Sequence, residues 1–324
     1  MKDAIGGYFE LELPQHRGFL HDDGVLLNSG RNALEYVLRS MPEVRHLWIP
    51  YYTCDVILEP ITKLGIPFNF YHIDDRLELK DELALRDGDA LLYTNYFGIK
   101  DAYAKQLVEQ YGSKLIVDNS QAWFAEPING ISTVYSPRKY VGIPDGGIAY
   151  CPNGLDINQF EQDHSFDRCS HLLKRMDTGA SEGYSDFKAN SHKLCDQPIR
   201  TMSELTKTIL SSISFDDVKR KRIVNFVVLH EALQVSNQYA MPDLSSFSCP
   251  MVYPYFSNDA LLKQRLIENK IFVATYWPNV NEWSEEGMLE RVLMEKLLPI
   301  PCDQRYGIED MQTILKMIQQ CYKN

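Results

Sequence analysis

The first half of the chain alternates short apolar runs with segments of helical spacing, and this alternation constrains the fold more than any other feature. Runs at 46–50, 68–73, 90–93, 115–118, 131–135 and 147–151 have the length and composition of buried strands. Helical patterns over 30–38, 56–64 and 102–111 separate them. Strands and helices in that rhythm build right-handed βαβ units, which produce a mostly parallel sheet covered on both faces. The second half is different. Its strand candidates at 251–256, 271–276 and 297–300 are fewer and sit between helical patterns at 259–269, near 285–294 and at 308–321. That spacing suits a small α+β lobe. At 324 residues and 44% hydrophobic, the chain can bury one large core and a smaller one. The expectation is an α/β protein. A large domain over 1–215 would be joined by a long helix near 216–236 to a smaller C-terminal α+β domain over 216–324.

Charge and cysteine usage narrow the function. A formal net charge of -11 opposes sequence-independent nucleic-acid binding, which needs many Lys and Arg contacts to phosphates. A single anionic ligand is still allowed. Seven cysteines show no Cys-x-x-Cys spacing, and the eight histidines fall in no metal or catalytic-triad pattern, so no metal site is expected. The cysteines read as reduced, mostly buried thiols. The first residues lack an apolar signal region, and no run reaches the roughly 18 apolar residues of a membrane span. A cytoplasmic protein is expected.

Three stretches carry chemistry. Asn28, Ser29 and Gly30 are cap and turn residues directly ahead of Ala33, Leu34, Val37 and Leu38, so a helix starts near Gly30. Its free N–H groups form an anion site, to which Arg31 adds a fork that fits phosphate. A capped core helix with a solvated arginine reads the same residues equally well. Next, the run over 115–118 delivers Asp118 to the C-terminal edge of a strand, where ligands of open α/β sheets bind. Asp118 either caps the following turn or pairs with a cationic ring nitrogen. Finally, Lys139 lies in a Pro- and Gly-punctuated connection that ends in Asp145-Gly-Gly147. A lysine presented there can form a Schiff base, and paired glycines admit close backbone approach. An ordinary surface loop has the same composition.

Other stretches are weaker. Residues 5–13 alternate as a docked N-terminal strand would, and Tyr8 and Phe9 could roof a pocket. An aromatic from Tyr51 or Tyr52 could lie over a planar ligand, although packing at a strand end explains both. The polar region 154–200 reads as an exposed connection or a mobile insertion. Lys219 to Arg222 reads as a solvated helix face, and Tyr276-Trp277-Pro278 could present an aromatic to the cleft between lobes.

The order of these pieces, a phosphate-type helix start, a strand-end aspartate and then a lysine, resembles the cofactor site of fold-type-I pyridoxal-phosphate enzymes. It is most similar to the sugar aminotransferase family named after DegT, DnrJ, EryC1 and StrS. That family's phosphate turn, its Asp-x-x-Gln pair and its lysine before an acidic-Gly-Gly run correspond to Ser29-Gly-Arg-Asn-Ala-Leu34, Asp118-Asn-Ser-Gln121, and Lys139 with Asp145-Gly-Gly147. More loosely, 199–205, 222–226 and 301–306 resemble later family segments. The chain departs from the pattern at Arg31, which replaces a threonine, at Asn95, which stands where a histidine is common, and at Pro137-Arg138. Pro198 takes the place of an asparagine that reaches the partner subunit's cofactor.

The resemblance implies pyridoxal 5'-phosphate as cofactor, with Lys139 forming the internal aldimine and shuttling protons and Asp118 pairing with the pyridinium. Gln121 would sit beside the phenolic oxygen. Ser29, Gly30, Arg31 and Asn32 would hold the phosphate, with Ser136 as an extra hydroxyl and Tyr52 near the ring. The implied reaction moves an amino group from an amino acid to a keto sugar, one linked to a nucleotide, within a homodimer. Relatives that resemble dehydratases replace the lysine with histidine, whereas Lys139 is retained here. The other reading is an idle or regulatory ligand-binding protein that keeps the fold.

Overall fold

The computed structural model describes residues 6–16 and 18–320. The large unit begins with β1 (Val25–Leu27), α1 (Gly30–Arg39), β2 (His46–Pro50), α2 (Leu58–Lys63) and β3 (Phe68–Tyr71). It continues with β4 (Asp89–Thr94), α3 (Asp101–Tyr111), β5 (Leu115–Asp118), β6 (Ser132–Tyr135) and β7 (Gly147–Tyr150). These strands form one seven-stranded sheet in the order β1-β7-β6-β5-β4-β2-β3. Pairing is parallel from β3 through β6, and β7 runs antiparallel to both β6 and β1. The expected α/β class with a mostly parallel sheet is what the chain adopts.

Alternation along each strand explains why both faces are covered. On β4, Ala90 and Leu92 enter the core under α1, while Leu91 and Tyr93 enter the core on the opposite face. On β5, Ile116 points to the first core and Leu115 and Val117 to the second. A parallel strand buried on both sides is a continuous apolar run, which is why the sequence shows these strands without alternating polarity.

After the sheet come α4 (Ser170–Asp177), α5 (Tyr184–Lys193) and α6 (Glu204–Ser211), and then the long α7 (Phe215–Leu233). The chain ends in β8 (Tyr253–Phe256), α8 (Leu262–Glu268), α9 (Val280–Trp283), α10 (Leu289–Lys296), β9 (Leu297–Ile300) and α11 (Ile308–Gln320). β8 and β9 pair antiparallel as a second, two-stranded sheet. The core on one face of the large sheet continues without a break through Phe226 and Leu229 of α7 to Tyr253, Tyr255 and Ile300.

The structure corrects several sequence expectations. Residues 6–13 form no strand, and Tyr8 and Phe9 are fully or almost fully exposed, so they roof nothing. Ile5, Cys321 and the expected helix end at 321 lie outside the described residues. Region 154–200 carries α4 and α5 rather than a bare connection, because His171 and Asn190 give each helix a buried anchor despite its polarity. No strand forms over 271–276, and the small sheet consists of β8 and β9 alone. The helix expected near 285–294 runs instead over Leu289–Lys296. β1 and α6 were unforeseen, β1 because three residues are too few to show a period. The described cysteines are all free, but only Cys249 and Cys302 are buried, and Cys54, Cys151, Cys169 and Cys195 are half-buried. Among the described residues no helix is long and apolar enough to cross a membrane, and no group of His, Cys, Asp or Glu is placed to hold a metal ion.

One buried cation ties the large sheet to the small one. Arg222 of α7 is 2% exposed and has no carboxylate partner in contact; it donates to the carbonyls of Met251 (2.9 Å) and Tyr140 (3.0 Å) and to Gln304 (2.8 Å). Its guanidinium also lies 4.4 Å from the centre of the Tyr140 ring. The sequence placed Arg222 on a solvated face. It is buried because α7 is covered on the side that meets Tyr140. Arg222→Met is expected to leave these carbonyls short of a donor and to lower unfolding free energy by about 3 kcal/mol. A urea titration compared with wild type checks this, and an unchanged midpoint would show that the carbonyls need no cation.

Candidate active site

Parallel strands share a direction, so the C-terminal ends of β4, β5 and β6 lie along one edge of the sheet. Asn95 follows β4, Asp118 ends β5, and Ser136 to Lys139 follow β6. The antiparallel turn of β7 then brings the glycines of the lysine connection back beside β1. Leu27 pairs with Gly147, Ser29 bridges to Gly146, and the Gly146 amide donates to the Asn28 carbonyl (2.9 Å). A Cβ on Gly147 would lie 2.1 Å from the Ser29 carbonyl oxygen and 2.7 Å from the Gly30 nitrogen. The backbone that approaches these glycines is therefore the helix start itself, and not a ligand as the glycine pair alone had suggested.

At the start of α1, Ser29 is the N-cap: its Oγ accepts from the Asn32 amide (3.1 Å) and donates to Asn32 Oδ1 (2.5 Å). The Asn32 side chain also donates to the Gln197 carbonyl (2.9 Å). Gly30 faces Ser136, whose Cβ and Oγ would stand 3.2 and 3.3 Å from an added Cβ. A side chain at position 30 would thus fill the space between the helix start and Ser136. Arg31 lies close against Glu59, Nε to carboxylate oxygen 3.1 Å, so its charge is already balanced.

Asp118 is buried and accepts from the Ser120 amide (2.8 Å). Burial raises its pKa above the ordinary carboxylate range, while Ser120 and the nearby Lys139 charge pull it down. Gln121 is 1% exposed; its Oε1 accepts from the Phe97 amide (2.9 Å), and its Nε2 has no partner. That donor is buried at the sheet edge with its hydrogen-bonding capacity unused. Asn95 braces the same edge by donating to Asp101 (2.7 Å) and Asn119 (3.0 Å).

Lys139 is exposed, and its Nζ lies 5.9 Å from the centre of the Tyr276 ring. Tyr276 therefore presents the aromatic in the cleft, whereas Trp277 is buried against Tyr52 (5.1 Å between ring centres). Tyr52 itself is wholly buried, with a second ring contact to Tyr96 at 5.7 Å, and Tyr51 stacks on Phe70 and His72. Neither ring has a free face over the sheet edge.

Two supports of the lysine connection escaped sequence reading. Tyr140, next to Lys139, receives Arg222 and Gln304 on its carbonyl and donates through its hydroxyl to the Gln121 carbonyl (2.8 Å). Asp145 is fully buried and accepts from Ser165 (2.5 Å), Thr206 (2.5 Å) and both Nε and a terminal nitrogen of Arg168 (3.0 and 2.6 Å). Segment 163–168, expected to be solvated, is thus the clamp on the acidic residue of the Asp-Gly-Gly run. A buried carboxylate in a glycine turn was the signal that some cation must meet it.

Among solved structures the fold of this chain has clear counterparts. DesV of S. venezuelae, in complex with a ketimine intermediate, superposes with a TM-score of 0.65 at 14% identity over 93% of this chain and 85% of that one. The fold is that of the sugar aminotransferases. A DegT DnrJ EryC1 StrS aminotransferase from Brucella abortus shares it (TM-score 0.63, 15% identity, 93% and 86% of the two chains). So does NtdA from Bacillus subtilis, with bound cofactor PMP (TM-score 0.65, 14% identity, 93% and 73%). No protein-family model matches the chain, and no curated protein matches it by sequence. At such low identity the likeness is one of fold.

Two outcomes test this geometry. Gly147→Ala is expected to push β1 and the α1 start off β7, lowering the thermal midpoint and any soluble yield; a midpoint equal to wild type would mean that the two backbones are free to separate. Asp118→Asn is expected to stabilise the ligand-free protein. The folded state holds the Asp118 proton more tightly than the unfolded chain does, so wild-type stability falls as pH rises from the unfolded value of about 3.9 through the higher folded one. The variant loses that slope. Urea midpoints of the two proteins should converge in acid and separate as pH rises, then hold a constant gap. Parallel curves throughout would remove Asp118 as a desolvated carboxylate.

Proposed function

We propose that this protein is a pyridoxal-phosphate-dependent aminotransferase that moves an amino group between an amino acid and a keto sugar, one linked to a nucleotide. A single observation carries the proposal: the α1 N-terminus, Asp118 and Lys139 meet on one sheet edge, held there by the Gly146 and Gly147 contacts with Asn28 and Gly30. The fold shared with sugar aminotransferases supports it. The residues present fit the cofactor, because Gln121 has an orphaned buried donor, Asp118 is a desolvated carboxylate near Lys139, and Gly30 leaves the space before Ser136 open.

When bound, the cofactor supplies an electron sink for the carbanion formed at the amino carbon. The chain supplies the rest. Lys139 is the amine that attaches the cofactor and moves a proton to and from the substrate carbon. Its side chain is exposed along the cleft, which leaves it free to swing between those tasks. Asp118 holds a proton on the ring nitrogen, a charge-assisted contact worth roughly 1.5–3 kcal/mol. Gln121 Nε2 would be the donor free to meet an oxygen of the bound ring. The amides at the α1 start, with Ser29, Asn32 and Ser136 around them, receive the phosphate. Tyr276 walls the lysine from the side of the small sheet.

In this reading the large cofactor-binding domain spans 1–215 and the small domain 216–324, and the protein works as a cytoplasmic homodimer. Exposed apolar side chains on α4 and α5, among them Leu173, Met176 and Tyr184, support a subunit interface near the site.

A second reading keeps the ligand and drops the turnover. Its support is the phosphate turn, where Ser29 and Asn32 bond to each other and Arg31 is held by Glu59, so these side chains are already engaged. The two readings part on one experiment. Wild type with added pyridoxal phosphate should develop absorbance near ~410–430 nm, as expected for cofactor held on a lysine amine, and lose it in Lys139→Ala. Amino donors should then convert the bound cofactor to its amine form. A Lys139-dependent band that no amino donor ever discharges would make the chain a binder, and identical spectra for both proteins would remove Lys139 from the site.

A further inference from the structure

Three arginines gather around the start of α1 and the lysine connection, and they differ in what balances them. Arg31 lies against Glu59, and Arg168 forks onto Asp145 and Asp163. Arg138, the neighbour of Lys139, has no such partner: among the described residues no carboxylate lies within ion-pair distance of it and no acceptor receives its hydrogen bonds. Its guanidinium rests instead 5.7 Å from the centre of the Phe187 ring on α5. Removal from water, together with the like charges of Arg31 and Arg168, pulls its pKa down to about 10, with Asp145 acting in the opposite sense.

The wall around it is unfinished in the same way. His171 of α4 is 7% exposed and packs edge-on to Phe187 at 5.8 Å. Asn190 of α5 is 3% exposed; its Nδ2 donates to the Pro144 carbonyl (2.7 Å), and its Oδ1 has no partner. A half-buried guanidinium without an anion, beside a buried amide oxygen without a partner, leaves both groups open to a ligand that would complete them.

We infer that Arg138, with His171 and Asn190 near it, binds a phosphate group at the mouth of the lysine connection. The planar fork matches two phosphate oxygens, and the Asn190 carbonyl oxygen beside it accepts from a hydroxyl on a singly protonated phosphate or on the sugar that carries it. This gives Arg138 the task that the sequence had suggested for Arg31, which the structure has paired with Glu59. The phosphate has two sources, the cofactor itself or a phosphorylated acceptor, and the second rests on the aminotransferase reading.

Wild type and Arg138→Gln are titrated with pyridoxal phosphate and with pyridoxal, followed by absorbance, and the cofactor-loaded proteins are titrated with inorganic phosphate by calorimetry. Pyridoxal carries no phosphate, so equal pyridoxal affinity also establishes that the variant is folded. If the cofactor is the source, Arg138→Gln loses at least tenfold in affinity for pyridoxal phosphate and nothing for pyridoxal. If the acceptor is the source, both cofactor affinities stay equal and the loaded wild type binds inorganic phosphate while the variant does not. A variant that matches wild type in both arms overturns the inference. A measurement on wild type alone guards against a misfolded variant. Phenylglyoxal labelling of Arg138, read by peptide mass spectrometry without added cofactor, should be slowed by inorganic phosphate. Labelling that phosphate leaves unchanged also overturns the proposal, and it does so whether or not Lys139 holds a cofactor.

Discussion

Everything at the sheet edge depends on one contact between two stretches of backbone. Gly147 lies so close to Ser29 and Gly30 that no side chain fits between them, and beside it the Gly146 amide donates to the Asn28 carbonyl. Through that contact the free amides of α1 and the loop bearing Lys139 become neighbours, although more than a hundred residues separate them in sequence. The contact is reinforced from the other side. Asn28 exchanges hydrogen bonds with Arg200, and Met202 donates to the Leu26 carbonyl, so a returning segment closes over β1. A helix N-terminus elsewhere would still attract an anion; only here does it face a lysine.

The lysine connection is held at both ends by buried charge. Arg222 and Gln304 take the Tyr140 carbonyl, and Arg168, Ser165 and Thr206 take the Asp145 carboxylate. Lys139 sits one residue before the first anchor, is exposed, and makes no ion pair among the described residues. Buried charged groups with satisfied hydrogen bonds are rigid, so the backbone that follows Lys139 is fixed at Tyr140 and Asp145 while the amine itself is left unpinned. Arg222 reaches the loop from α7, which makes the small sheet part of the site's support and not only its wall.

The electrostatics run against stability in two places. Asp118 is a carboxylate whose burial favours the protonated form, and Arg138 is a guanidinium with no counter-ion in contact. A chain optimised for folding alone would place neither. Both lie within the short stretch of structure that also contains Lys139 and the orphaned Gln121 amide. Desolvated charge concentrated in one cleft is the physical mark of a site that awaits a charged ligand.

Much of this was legible from the residues. The strand runs at 46–50 and 115–118 match the structure residue for residue, because buried parallel strands must be short and wholly apolar and nothing else in an α/β chain is. The Ser29 cap, the strand-end position of Asp118 and the loop position of Lys139 are local properties, fixed by capping, strand length and glycine or proline placement. The partners of charged groups were not legible. Arg31 looked open and is paired, Arg222 looked solvated and is buried, and Asp145 needed residues 163–168, which read as bare connection. Sequence by itself determined the α/β class, the order of the elements and which residues carry reactive groups, since each follows from interactions within a few positions. Only the tertiary structure decided which of those groups meet and which remain unpaired, because a side chain's partner is set by packing between elements distant in the chain, and no local pattern encodes that distance.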